Sequence, residues 1–183
     1  MAWDWSTVRT SSGGSEEIPA TLERLLAGET EAQRDRAFDG LYSAVVNQGD
    51  LETAAAPVAD RILEELGVHG SVSEYGWLML NCIFGGAGYG KQVLVDGSET
   101  DLESYCRQTV IASLPMIGPA AAAADGETFR FLTVLLGKVG EYAPEAISIL
   151  EREVRVSSGE RLVAASDGLE VARELAAERA ADG

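Results

Sequence analysis

The stretch GGAGYGKQ, Gly85 to Gln92, carries the residue types closest to a known chemistry in this chain. A phosphate-cradling loop has the form G-x-x-x-x-G-K-[ST]. Gly85, Gly90 and Lys91 meet it, but Gln92 stands where a hydroxyl would hold Mg²⁺. Such a loop also joins a strand to a helix, because the anion rests on the helix's free N–H groups and positive dipole end. Here QVLVDGSET follows, a β-branched stretch that reaches Asp96 and Gly97 within one short strand's length and leaves no room for a helix. Asp96 imitates the Mg²⁺-holding acid of a nucleotide enzyme, yet that acid belongs after a helix and a crossover. The stretch therefore reads as a flexible interhelical loop. The other reading is a binding loop, with Tyr89 and Lys91 as its contact residues.

Other chemistry has less to stand on. His69, the single histidine, lies in GVHGS between helices and beside no recognisable nucleophile motif. The neighbouring carboxylates Glu16 and Glu17, and Glu64 and Glu65, point to different sides of a helix and do not converge as an acid–base pair. Cys82 and Cys106 sit among apolar neighbours at no metal-ligand spacing and read as buried free thiols. No catalytic residue, metal site or cofactor is expected, and the balance of these signals is against an enzyme.

The elements that position these residues are helical. Apolar positions recur at helical spacing in eight stripes: Ile18–Leu26, Phe38–Val45, Val58–Leu66, Leu78–Cys82, Leu102–Val110, Phe129–Val139, Ile147–Val154 and Leu169–Leu175. Phe38, Leu41, Tyr42 and Val45 read as one buried face. Thr30 with Gln33, Ser71 with Glu74, and Ser98 with Asp101 have the form of capping boxes. Pro19, Pro57 and Pro144 fit first turns. IGPAAAAADGE reads as an Ala-rich linker or short helix, and alternating apolar and polar residues hardly occur. The expectation is an all-α protein of roughly eight helices, built as α-helical hairpins stacked into a short solenoid, with a closed helical bundle as the alternative. Residues 1–14, rich in Ser and Gly after Trp3 and Trp5, are expected to form a flexible segment before a single domain over 15–183. Trp5 would cap the end of the array and Trp77 would lie in the core. Asn81, an amide inside the apolar run WLMLNCIF, needs hydrogen-bond partners in a neighbouring turn or across a groove.

Charge narrows the partners. Fourteen basic residues against 30 acidic ones leave a net charge of −16, so the average surface repels phosphate backbones and anionic lipid. Nucleic acid and membrane are poor expected partners, and a basic protein is a better one. MAWDWSTVRT has neither a basic start nor an apolar run, which points to a cytoplasmic location.

The segment Ser15 to Leu66 resembles the opening of small bacterial proteins of the HEAT-like repeat group. There a Pro-led helix is followed by a helix ending in a His-Gln-Gly type turn, then by an Ala-rich helix with a central Pro. Gln48, Gly49 and Pro57 match that pattern, and Asn47 stands where His is usual. FRFLTVLLGKVGEY and PEAISILERE match later units more loosely. The resemblance implies a binding surface or adaptor, and small bacterial proteins of similar shape include inhibitors of toxins. Together with the charge it leads to a protein-binding module, of the immunity type directed against a basic toxin or effector. Its candidate binding residues are Asn47, Gln48, Trp77, Asn81, Tyr89 and Lys91. The alternative is an enzyme or accessory protein of a bacterial biosynthetic pathway, which would show a closed apolar cavity between helices holding a cluster of Asp or Glu.

Overall fold

The computed structural model describes residues 3–5, 8, 10 and 15–182. The protein is all-α: nine helices and two small antiparallel hairpins are found among the described residues. The chain divides into two compact units, 1–110 and 111–183.

Unit 1 begins with α1 (Ile18–Ala27) and α2 (Glu31–Val45). Pro19 lies in the first turn of α1, where its missing N–H costs nothing. The Thr30 hydroxyl accepts from the Gln33 N–H while the Gln33 side chain accepts from the Thr30 N–H, so this expected capping box is present. A hairpin of β1 (Val46–Asn47) and β2 (Asp50–Leu51) leads into α3 (Ala55–His69) and α4 (Glu74–Gly85). A second hairpin, β3 (Gln92–Val95) with β4 (Ser98–Asp101), precedes α5 (Leu102–Ala112). The core of this unit is aliphatic around two rings of α4: Leu25, Leu51, Ile62 and Leu80 are buried with Trp77 and Phe84.

Two other expected capping boxes are corrected. Ser73, not Ser71, caps α4; its hydroxyl accepts from Gly76 N–H at 3.2 Å and donates to the Leu25 carbonyl at 3.0 Å. Ser98 belongs to β4, and Asp101 alone caps α5 by accepting from the Ser104 N–H at 2.8 Å. That bond holds the Asp101 carboxyl below the usual carboxylate range. Both hairpins escaped the sequence because their strands are only two and four residues long, too short to display an alternating pattern. Their turns are nevertheless written in the chain. Gln48-Gly49 (φ 54° and 92°) and Asp96-Gly97 (φ 49° and 80°) supply the paired left-handed residues that a two-residue hairpin turn demands.

Unit 2 holds α6 (Leu114–Ala123), α7 (Gly126–Val139), α8 (Pro144–Val156) and α9 (Gly159–Asp182). The stretch 117–127, expected to be an Ala-rich linker or short helix, covers the later part of α6, a helix despite Pro119 in its interior, and the first residues of α7. Pro144 opens α8 in its first turn, as its fixed φ favours. Small residues let α7 and α9 approach closely. A Cβ on Gly168 would lie 2.7 Å from the Thr133 carbonyl oxygen, and one on Gly140 would lie 2.5 Å from the Ala172 Cβ. No helix among the described residues is long and apolar enough to cross a membrane.

Of the N-terminal stretch expected to be flexible, Trp3 and Val8 are placed against unit 1. The Trp3 indole donates to Asp60 at 2.8 Å and meets the Tyr105 ring edge-on at 5.9 Å. The Tyr105 hydroxyl donates to the same Asp60 oxygen at 2.7 Å, so one carboxylate ties the N-terminal segment to α3 and α5. Residues 1, 2, 6, 7, 9 and 11–14 lie outside the described residues.

Candidate functional site

The Gly-rich loop is built as a clip. It leaves α4 rather than a strand and enters β3 rather than a helix, so the topology of a phosphate loop is missing on both sides. Ala87 pairs with the β1–β2 hairpin, donating to the Gly49 carbonyl at 2.9 Å and accepting from Leu51 N–H at 2.8 Å. Gly86 permits this approach, since a Cβ there would lie 2.5 Å from Leu51 Cδ2. The Gly88 N–H donates to Glu103 at 2.7 Å, and Tyr89-Gly90 (φ 48° and 72°) turns the chain back so that Lys91 N–H donates to Gly88. The Lys91 ammonium donates to the Leu51 carbonyl at 2.7 Å and lies 3.4 Å from Glu52. A lysine so engaged bridges the loop to β2; it is not presented to a phosphate. Lys91→Met is expected to cost about 1 kcal/mol of stability, read from urea unfolding followed by tryptophan fluorescence, because the Leu51 carbonyl loses its donor.

The six candidate binding residues thus fall into two places. Asn47 and Gln48 on the first hairpin, with Tyr89 and Lys91 on the loop, are brought into one region by the Ala87 bridge, and the Tyr89 ring is 75% exposed. Trp77 and Asn81 lie apart from them, inside α4. Trp77 is in the core as expected, and the Asn81 amide donates back to the Trp77 carbonyl at 3.1 Å. His69 ends α3 instead of lying between helices, and is exposed 3.2 Å from Glu65. Cys82 and Cys106 are free thiols, and burial pushes the Cys106 thiol up to about 12, so it stays protonated at neutral pH.

A different surface brings more chemistry together. Phe38 and Tyr42, expected in a buried face of α2, are corrected: Phe38 is half-buried and Tyr42 is 38% exposed, while Ala37, Leu41, Ala44 and Val45 take the core. Glu31, Asp35, Phe38 and Tyr42 follow the i, i+4, i+7, i+11 spacing of one stripe along α2. Phe38 and Tyr42 stack at 5.8 Å with an interplanar angle of 29°, and Tyr75 from the first turn of α4 leans on Phe38 at 6.1 Å. The Tyr75 hydroxyl is held above its ordinary range by desolvation, then by the charges of Asp35, Glu31 and Glu74. Glu31 and Asp35 thus share the α2 stripe with Phe38 and Tyr42, and Glu74 adjoins Tyr75 in the first turn of α4. Among the described residues none of Glu31, Asp35 and Glu74 is held in an ion pair, although Glu23, Glu52, Glu65 and Glu103 are. The signal for this face was in the sequence: two acids and two rings share one stripe.

Among the described residues of unit 2 one carboxylate is buried, and it is locked. Glu153 is 1% exposed, 2.7 Å from Arg161 and 3.1 Å from Arg152. Depressions of about 260 and 220 Å³ run along α7 and α9; the first is lined by Glu127 and Glu160 together with Arg130 and Arg161. Among the described residues no group of three His, Cys, Asp or Glu is placed to hold a metal ion. Compared with known protein families, curated proteins and solved structures, the chain matches none.

Proposed function

We propose that the chain is a protein-binding module whose acidic face on α2 and α4 recognises a basic protein, in the manner of an immunity-type inhibitor of a basic effector. The observation that carries this is the contact of Phe38 with Tyr42 and Tyr75, on a stripe of α2 that also holds Glu31 and Asp35, with Glu74 next to Tyr75 in the first turn of α4. Aromatic rings supply contact area at low entropic cost, and carboxylates without a cationic partner among the described residues supply complementary charge. The net charge of −16 adds a long-range field that hastens encounter with a basic partner. The HEAT-like resemblance of Ser15 to Leu66 implies the same kind of role.

The test is capture of partners from native lysate at low and high salt, with the wild-type chain beside a Glu31→Lys/Asp35→Lys/Glu74→Lys variant. A basic protein is expected on the wild-type chain at low salt, weakened at high salt and lost from the variant. Equal recovery on both chains would place binding elsewhere.

A further inference from the structure

We propose that the α2–α4 face selects arginine over lysine, so that the partner is a basic protein presenting arginine side chains to it; this rests on the protein-binding role given above. The chain itself shows twice what a ring beside a carboxylate holds. Arg161 lies 3.7 Å over the Phe129 ring while bonded to Glu153 at 2.7 Å, and Arg179 lies 4.3 Å over the Tyr142 ring, 3.4 Å from Glu141. On α2 and α4 the same two ingredients share one face: the stacked pair Phe38 and Tyr42 with Tyr75 beside it, and the carboxylates Glu31 and Asp35 on the same α2 stripe with Glu74 adjoining Tyr75.

A guanidinium is flat, weakly hydrated and forked. It can lie on a ring and still direct two N–H groups at a carboxylate. An ammonium is compact and strongly hydrated, so it gains the carboxylate but less of the ring. Charge complementarity commits the occupant to a cation: Glu31 and Asp35 share the rings' stripe on α2, Glu74 precedes Tyr75, and the chain as a whole carries −16. Tyr42, the most exposed of the three rings, is the residue on which the discrimination turns.

The experiment is calorimetric titration of the full chain with a peptide of alternating arginine and glycine, and with a peptide in which lysine replaces every arginine. The arginine peptide is expected to bind about tenfold more tightly. Tyr42→Ala should bring the two affinities together, Asp35→Asn should weaken both, and Glu99→Gln on β4 should change neither. Equal affinities for the two peptides in the wild-type chain, both weakened by Asp35→Asn, would overturn arginine selection and leave the acidic face as a docking site. Failure of both peptides to bind, or binding that neither Tyr42→Ala nor Asp35→Asn alters, would overturn the face itself.

Discussion

Arg161→Ala is expected to destabilise unit 2 by about 3–5 kcal/mol, the cost of leaving a buried charge short of its partner. Arg161 reaches from α9 to three places at once. It bonds Glu153 at 2.7 Å, donates to the Ala121 and Ala124 carbonyls at the end of α6, and covers the Phe129 ring. The last carbonyls of a helix have no partner within it, so the guanidinium serves as the cap that α6 does not make for itself. Removal strips that cap and leaves Glu153, 1% exposed, with Arg152 alone. The double variant Arg161→Leu/Glu153→Leu should recover part of the loss, because an apolar pair removes the uncompensated charge along with its partner. All three tryptophans lie in unit 1, at positions 3, 5 and 77, so their fluorescence does not report this change. Hydrogen exchange of the α7 and α9 amides does. Protection unchanged in Arg161→Ala would show that the network contributes little.

Gly168→Ala should cost about 2–3 kcal/mol, the scale of overpacking in a core. Replacing a mid-helix glycine by alanine ordinarily stabilises a helix by about 1 kcal/mol, so the sign is the informative part. The new Cβ would sit 2.7 Å from the Thr133 carbonyl oxygen and 3.2 Å from Leu150 Cδ2. A carbonyl inside a helix cannot turn aside as a side-chain tip can. The two helices must separate, and the buried Leu169 and Ala172 lose contact with α7. Ser166→Ala, on the exposed side of α9, is the control and should leave exchange at α7 unchanged or slightly slower. Faster exchange across α7 and α9 in Gly168→Ala alone is the expected pattern; a stabilised variant would mean that the crossing has room to spare.

Much of the helical frame was legible along the chain. Each of the eight apolar stripes lies in a helix, since burial on one side of a helix leaves its period in the sequence whatever that helix packs against. The Thr30–Gln33 box was legible for a similar reason: all its partners lie within four residues. Ser71 and Ser98 have the same local form and do not cap, because Ser73, two residues on, caps α4, while Ser98 lies in β4 and Asp101 caps α5. The hairpins had a local signal in Asp96-Gly97 that the helical periodicity around them overshadowed.

The candidate face shows the limit more sharply. A ring on an amphipathic helix looks the same in sequence whether it points into the core or along its border. Phe38 and Leu41 differ by only three positions, yet Leu41 is buried and Phe38 meets Tyr42 and Tyr75 at the surface. That outcome depends on where α4 crosses α2. The sequence by itself determined an acidic, helical chain with no strand–loop–helix to hold a phosphate, because charge, periodicity and the spacing of breakers are local quantities. Only the tertiary structure decided that Lys91 is a clip, that Glu153 is locked by Arg152 and Arg161, and that Tyr75 of α4 leans on Phe38 of α2. Each of these is a distance between side chains far apart along the chain or on neighbouring helices, and such distances exist only once the backbone has closed on itself.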